Sequence, residues 1–205
     1  MSSALTPGFS VRTVIAPDGS VLDNSYLRAL RQVNGTLTDA TGQLVSNVAV
    51  PGSNPDGSYN VDLLDLGTDP VLTTGRFPND LPLFEGDLPW PGIPDADNTI
   101  DPPFKGGPTK MFATEVISYL KLSAGSYTMG MTAGFQRTDV NDDNGWRLFA
   151  GANPRSYFAT PVAEFQRTGA GFPSGPQVRA GNTNEFTFTV SKDGVYPFRL
   201  VQWQT

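Results

Sequence analysis

The chain of 205 residues contains no cysteine and no histidine. The first absence excludes disulfides, thiolate zinc sites and thiol nucleophiles, without deciding the cellular compartment. The second excludes a His-centred triad, an imidazole base and any His metal site, and with them the commonest machinery of hydrolases. No apolar run approaches the ~20 residues of a membrane span, and the start Met1-Ser2-Ser3 lacks the basic and hydrophobic stretch of a secretory signal. An exported parent would therefore carry its signal upstream. Basic residues are scarce, 14 Lys and Arg against 20 Asp and Glu for a net charge of −6, which argues against a phosphate-binding surface. Neither nucleic acid nor a membrane is an expected partner. What the chain does have is 22 Gly, 18 Pro and 11% aromatics with only 17% charged residues, a composition for turns and extended chain around a bulky core. At this length a single sandwich domain spanning 1–205 is expected, burying roughly 70% of the extended chain's surface.

The stretch 111–151 organises the rest. Tyr127, Met129, Met131, Ala133 and Phe135 fall on one side of a period-2 ladder, and Ser126, Thr128, Gly130, Thr132 and Gly134 on the other. Val116, Ser118, Leu120 and Leu122 alternate before it, and Ser123-Ala124-Gly125 is short enough for a hairpin. Trp146, Leu148 and Ala150 alternate after an acidic, Asn-rich turn. Near the end, Phe186, Phe188 and Val190 and then Tyr196, Phe198 and Leu200 alternate across the turn Lys192-Asp193-Gly194, predicting a second hairpin. Pro197 places the last strand at an edge or a bulge, or at least where its missing donor is not needed.

Earlier in the chain, residues 8–15 predict a first strand, closed by Pro17-Asp18-Gly19. Asp23, Asn24 and Ser25 offer N-cap chemistry, and Leu27, Leu30 and Val33 recur at helical spacing until Asn34-Gly35, predicting one short amphipathic helix. Arg28 and Arg31 read as its solvated face. Residues 36–72 predict short strands between Pro51-Gly52 and Pro55-Asp56-Gly57 turns. Seven prolines between residues 76 and 103 predict a long loop, packed on the body by Phe84, Trp90 and Ile93. The expected fold is all-β, an antiparallel, jelly-roll-like β-sandwich with one short helix near the N-terminus and a long proline-rich loop.

Candidate chemistry is concentrated at Asp139-Val140-Asn141-Asp142-Asp143-Asn144-Gly145. Calcium takes six to eight oxygen ligands, and a tight loop can converge them from Asp139, Asn141, Asp142 and Asp143. Asp and Asn also favour turns by bonding local backbone, so plain turn chemistry accounts for the same residues. Trp90, Trp146, Tyr157 and Trp203 offer flat faces for sugar rings, although core packing or loop anchoring is the commoner use of such residues. Glu115, Glu164 and Glu185 lie in strand-like segments, and a facing pair of them would be needed for glycoside hydrolysis.

The segments Phe112-Ala113-Thr114-Glu115-Val116-Ile117-Ser118-Tyr119-Leu120, Ala124-Gly125-Ser126-Tyr127-Thr128-Met129-Gly130 and Asp142-Asp143-Asn144-Gly145-Trp146-Arg147-Leu148 resemble the core of the protective-antigen-type β-sandwich. A closer resemblance is to its variant in large secreted proteins of verrucomicrobia-like bacteria. That variant shares the opening Pro7-Gly8-Phe9-Ser10-Val11-Arg12, the Pro89-Trp90-Pro91-Gly92-Ile93-Pro94 loop, Asn153-Pro154-Arg155 and Gly194-Val195-Tyr196-Pro197-Phe198-Arg199-Leu200. The resemblance implies a non-catalytic, extracellular or cell-surface module, in several relatives a carbohydrate binder, with Asp142 and Asp143 holding a calcium that holds sugar hydroxyls. Two departures stand out: an Asn between the Asp pair and Gly145, and an end where relatives continue into another strand, which implies a sandwich lacking its final strand.

Three readings follow. The first is a recognition module binding glycan through Asp142, Asp143, Trp146 and Trp90, assisted by calcium. The second is a structural or self-assembling subunit, of fibre or surface-layer type, whose aromatic final strand leaves a sheet edge open to another copy or protein surface. The third is a glycosidase using Glu115, Glu164 or Glu185.

Overall fold

The computed structural model describes residues 8–17, 19–62, 64, 66–67, 88–89, 111–133, 144–156, 158–159, 161–166 and 182–204. Among these residues ten strands and one helix run in the order β1 (Phe9–Ile15), α1 (Tyr26–Val33), β2 (Tyr59–Val61), β3 (Leu66–Gly67), β4 (Leu88–Pro89), β5 (Phe112–Leu122), β6 (Gly125–Ala133), β7 (Asn144–Ala150), β8 (Pro161–Gln166), β9 (Asn182–Val190) and β10 (Gly194–Gln204). A six-stranded antiparallel sheet has the order β2-β1-β5-β10-β7-β8, and β6 pairs with β9 in a second, two-stranded sheet. A two-residue parallel bridge joins β3 to β4. The expected all-β sandwich is therefore present, with its short helix. The proline-rich stretch 76–103, apart from β4, lies outside the described residues.

Alternation explains the layers. On one face of the large sheet Trp146, Leu148, Phe198, Leu200, Leu120 and Leu122 meet Met129, Met131, Phe186 and Phe188 from the small sheet. Each large apolar side chain buried there contributes about 1.5–3 kcal/mol. On the opposite face Ala113, Val201 and Trp203 pack against Ala29, Leu30 and Val33 of α1. Tyr26 at the start of that helix packs against Trp203 and Phe149, and the Arg147 guanidinium lies 4.3 Å over its ring. The large sheet is thus covered by the helix on one side and by β6 and β9 on the other.

Helix α1 forms because its ends are satisfied. The Ser25 hydroxyl accepts from the Arg28 amide at the N-cap. At the other end Thr36 N donates to Arg31 O and Gly35 N to Gln32 O, with Gly35 at a φ of 67°, the paired bonds of a Schellman motif. Its buried face differs from the expected stripe: Leu27 is exposed, while Arg28 and Gln32 are buried beside Ala29, Leu30 and Val33. The solvated reading of Arg28 is thereby corrected. Its Nε donates to Asp23 O and its Nη1 to Gln32 Oε1 and Phe112 O. Gln32 Nε2 in turn donates to Val14 O and Met111 O, tying the helix to the ends of β1 and β5. Burial pushes the Arg28 pKa down to about 10, partly opposed by Asp23, so the group stays charged at neutral pH.

Both expected hairpins are corrected. The link after β5 carries the chain out of the large sheet into the small one, because β5 pairs with β1 and β10 while β6 pairs with β9. The link Ser191-Lys192-Asp193 does the reverse, from β9 to β10. The two links meet: Ala124 N donates to Asp193 Oδ1 at 2.7 Å. The final strand is also not an edge. β10 lies between β5 and β7, and Pro197 sits just before the first β7 pair, Phe198 with Ala150. Its carbonyl accepts from Gly151 N, on the side where β7 has ended, so the missing N–H there costs no ladder bond.

Candidate recognition surface

Of the residues singled out in the sequence, Trp90, Asp139, Asn141, Asp142 and Asp143 lie outside the described residues, as does Tyr157. Immediately after that acidic segment comes β7, whose Gly145 has the Trp203 ring so close that an added Cβ would stand 2.2 Å from it. Trp146, the next residue, is 0% exposed. Its ring lies in the sandwich interior against Phe186, with no face at the surface for a sugar, which corrects its expected role as a platform. Trp203 is equally buried, and its Nε1 donates to Asn24 Oδ1 at 2.7 Å.

The three strand glutamates are kept apart. Glu115 on β5 and Glu164 on β8 belong to strands three places apart in the large sheet, roughly 14 Å at ~4.8 Å per strand. Glycosidase carboxyl pairs need about 5–9.5 Å. Glu185 lies on β9 of the other sheet, alternating with the inward Phe186 and so turned outward. Glu164 is held by Arg147 at 2.7 Å. No two of these three carboxylates therefore face one cleft.

Glu115 instead centres a cluster that register builds. Arg12 on β1 is its direct partner across the β1–β5 ladder. Arg199 on β10 pairs with Ile117, two residues along the same face, and so lies diagonal to it. Arg155 arrives from the turn after β7, where Ser156 N donates to Asn153 O. Arg199 Nε donates to Glu115 Oε1 at 2.7 Å, and Arg12 Nη2 to Oε2 at 3.2 Å. Arg155 donates as a fork, Nε to Oε1 at 3.3 Å and Nη2 to Oε2 at 2.8 Å, the planar pairing that makes guanidinium–carboxylate bonds strong. Arg12 Nη2 also reaches Val33 O, the last turn of α1.

Electrostatics at this cluster are one-sided. Burial alone would push the Glu115 carboxyl up, but the Arg155 hydrogen bond and the charges of Arg199, Arg155 and Arg12 override it and hold the group below the usual carboxylate range. A carboxylate so held is no proton donor at neutral pH. The Glu115 hydrogen bond raises the pKa of Arg155, against a smaller effect of burial, with Asp56 and Tyr119 adding to the rise. Asp56 itself is lowered, first by the Ser58 hydroxyl and also by Arg12 and Arg155. Tyr119 and Arg155 are each about half exposed, and Phe158, three residues along the chain from Arg155, is 96% exposed. Sequence reasoning passed over Arg12, Arg155, Arg199 and Tyr119. The available signal was a lone acid at position 115 inside the otherwise uncharged, largely apolar stretch 112–117, since a buried carboxylate demands cationic partners.

No protein-family model matches the chain, and no curated protein matches it. Among solved structures it is similar to the PA14 domain of MpAFP antifreeze protein, with 13% identity and a TM-score of 0.33 over 100% of this chain and 80% of that one. Function is therefore argued from the chain's own residues.

Proposed function

We propose that the chain is a non-catalytic recognition module of an extracellular or cell-surface protein, and that it binds carbohydrate with the help of calcium. The observation that carries this reading is the division of labour among its polar groups. The strand glutamates that could have served as acid and base are engaged by arginines or held on separate sheets, while Tyr119 on β5 and Arg155 and Phe158 in the segment after β7 remain exposed. Exposed aromatics beside a cation on a rigid sheet suit binding rather than bond cleavage. The calcium would be held by Asp139, Asn141, Asp142 and Asp143, an all-oxygen donor set of the kind that hard cations take. When bound it would supply a positive centre for sugar hydroxyls, and Trp90 in the proline-rich loop would add a stacking face.

A glycan array with and without calcium, together with calcium titration of the melting temperature, tests the reading. Calcium should raise the melting temperature of the native chain and leave an Asp142→Asn/Asp143→Asn variant unchanged. A blank array combined with no calcium response in the native chain would remove the proposal.

A second reading, self-assembly through a sheet edge, is favoured by a separate observation. Among the described residues β6 and β9 pair only with each other, so each has a free side along nine residues. Unpaired strand edges invite strand addition from a second copy. Multi-angle light scattering over a wide concentration range decides it: a strict monomer at millimolar concentration rejects assembly through this edge.

A further inference from the structure

We propose that Arg155 and Tyr119, with the Arg12, Glu115 and Arg199 cluster behind them, form a subsite for the carboxylate of an acidic sugar, an inference that rests on the glycan-binding reading above. Charge is the first argument. Three guanidiniums surround the single buried carboxylate of Glu115. Asp56, close enough to Arg12 and Arg155 to be lowered by them, offsets a second positive charge and leaves one uncompensated. One monoanionic group would balance it, whereas a doubly charged phosphate would exceed it.

Unmet donors are the second argument. Arg199 is 1% exposed, yet its Nη2 has no hydrogen-bond partner, and Arg12 Nε is likewise buried and unpartnered. Buried guanidinium N–H groups are nearly always satisfied, so two orphans in one cationic cluster mark a place where an acceptor is missing. Arg155 covers the cluster from the solvent side with its side chain 53% exposed; its Nε and Nη2 are committed to Glu115, and its Nη1 makes no hydrogen bond among the described residues. A carboxylate arriving from solvent would meet that nitrogen first.

The ring beside it indicates a sugar. Tyr119 lies on the same face of β5 as Glu115, four residues along, and its side of the strand is open. It is the ladder partner of Pro197, whose carbonyl accepts from Gly151 N at the head of the segment that carries Arg155. A flat, half-exposed ring next to a planar cation presents an apolar surface to a pyranose face and a fork to its carboxylate. A bare inorganic anion would have no use for the ring.

Glycosides of glucuronic, galacturonic and mannuronic acid, their neutral counterparts and inorganic phosphate are titrated into the full chain by calorimetry, with calcium present. At least one uronoside should bind tenfold or more tighter than its neutral partner. Arg155→Ala should bring that uronoside to the level of the neutral sugar, and Tyr119→Ala should weaken both. Arg155→Lys, which keeps the charge and loses the fork, should retain part of the preference and shows that a loss in the alanine variant is not misfolding. A native chain that binds neutral and acidic sugars alike, or an acid preference that survives Arg155→Ala, overturns this subsite and leaves the recognition reading standing. Phosphate binding as tightly as the uronoside, with no effect of Tyr119→Ala, overturns the assignment to a sugar. No binding to any glycan, acidic or neutral, overturns both.

Discussion

Replacing Glu115 with Gln removes one negative charge and almost no volume from the centre of the large sheet. Arg12 and Arg155 are partly exposed, with side chains 27% and 53% accessible, and can turn toward water. Arg199, at 1%, cannot. Leaving a buried charge without its partner typically costs about 3–5 kcal/mol, and in a chain of this size that corresponds to a melting temperature lower by roughly 6–20 °C. The loss should depend on pH. Because the folded Glu115 carboxyl titrates below its unfolded value, the unfolded chain takes up the proton first as the pH falls. The stabilisation is complete above the unfolded carboxyl pKa and disappears as the pH drops through the folded one. Thermal melts of native chain and Glu115→Gln from pH 7 into the acid range should show the widest gap at neutral pH, narrowing toward acid. A gap of under about 2 °C at pH 7, or one that widens on acidification, would refute the view that this carboxylate holds the arginines in place.

Gly145→Ala places a Cβ against the Trp203 ring, which is fully buried and cannot swing away. Overpacking of this kind costs about 1–3 kcal/mol, and chemical denaturation should show the loss in the transition midpoint with the slope unchanged. Ser25→Ala removes the acceptor for the Arg28 amide at the helix N-cap; about 1 kcal/mol should be lost, read as a small drop in melting temperature. Trp146→Phe alters only the interior, so any glycan affinity measured for the native chain should be retained while stability falls. A loss of binding at unchanged stability would show that the indole is read by ligand after all.

The candidate site was legible only in fragments. An acid at 115 in an apolar strand announces that cations must lie close by, but nothing near it in the chain says which ones. Arg12 is 103 residues away, Arg155 40 and Arg199 84. They converge because β1 and β10 flank β5 in a particular register, and because the turn after β7 reaches back over the sheet. Trp146 shows the opposite difficulty. An aromatic directly after an acidic turn suits a sugar platform and a core residue equally well, and burial assigned it to the core.

What the sequence determined by itself is which segments extend and which of their faces are apolar. The alternation of Met129 and Met131, of Trp146 and Leu148, and of Phe186 and Phe188 does point those side chains into one shared interior, and Tyr127 stacks on Phe188 at its margin. The helix and its caps were also local matters, settled within residues 23–36. Strand pairing was decided only by the tertiary structure. A period of two is the same whether the next strand returns as a hairpin neighbour or crosses to the facing sheet, and a link of two or three residues serves either path. Backbone ladder bonds join segments far apart in the chain, so the pairing of β5 with β1 and β10, and of β6 with β9, is set by how the two sheets pack and not by any one segment.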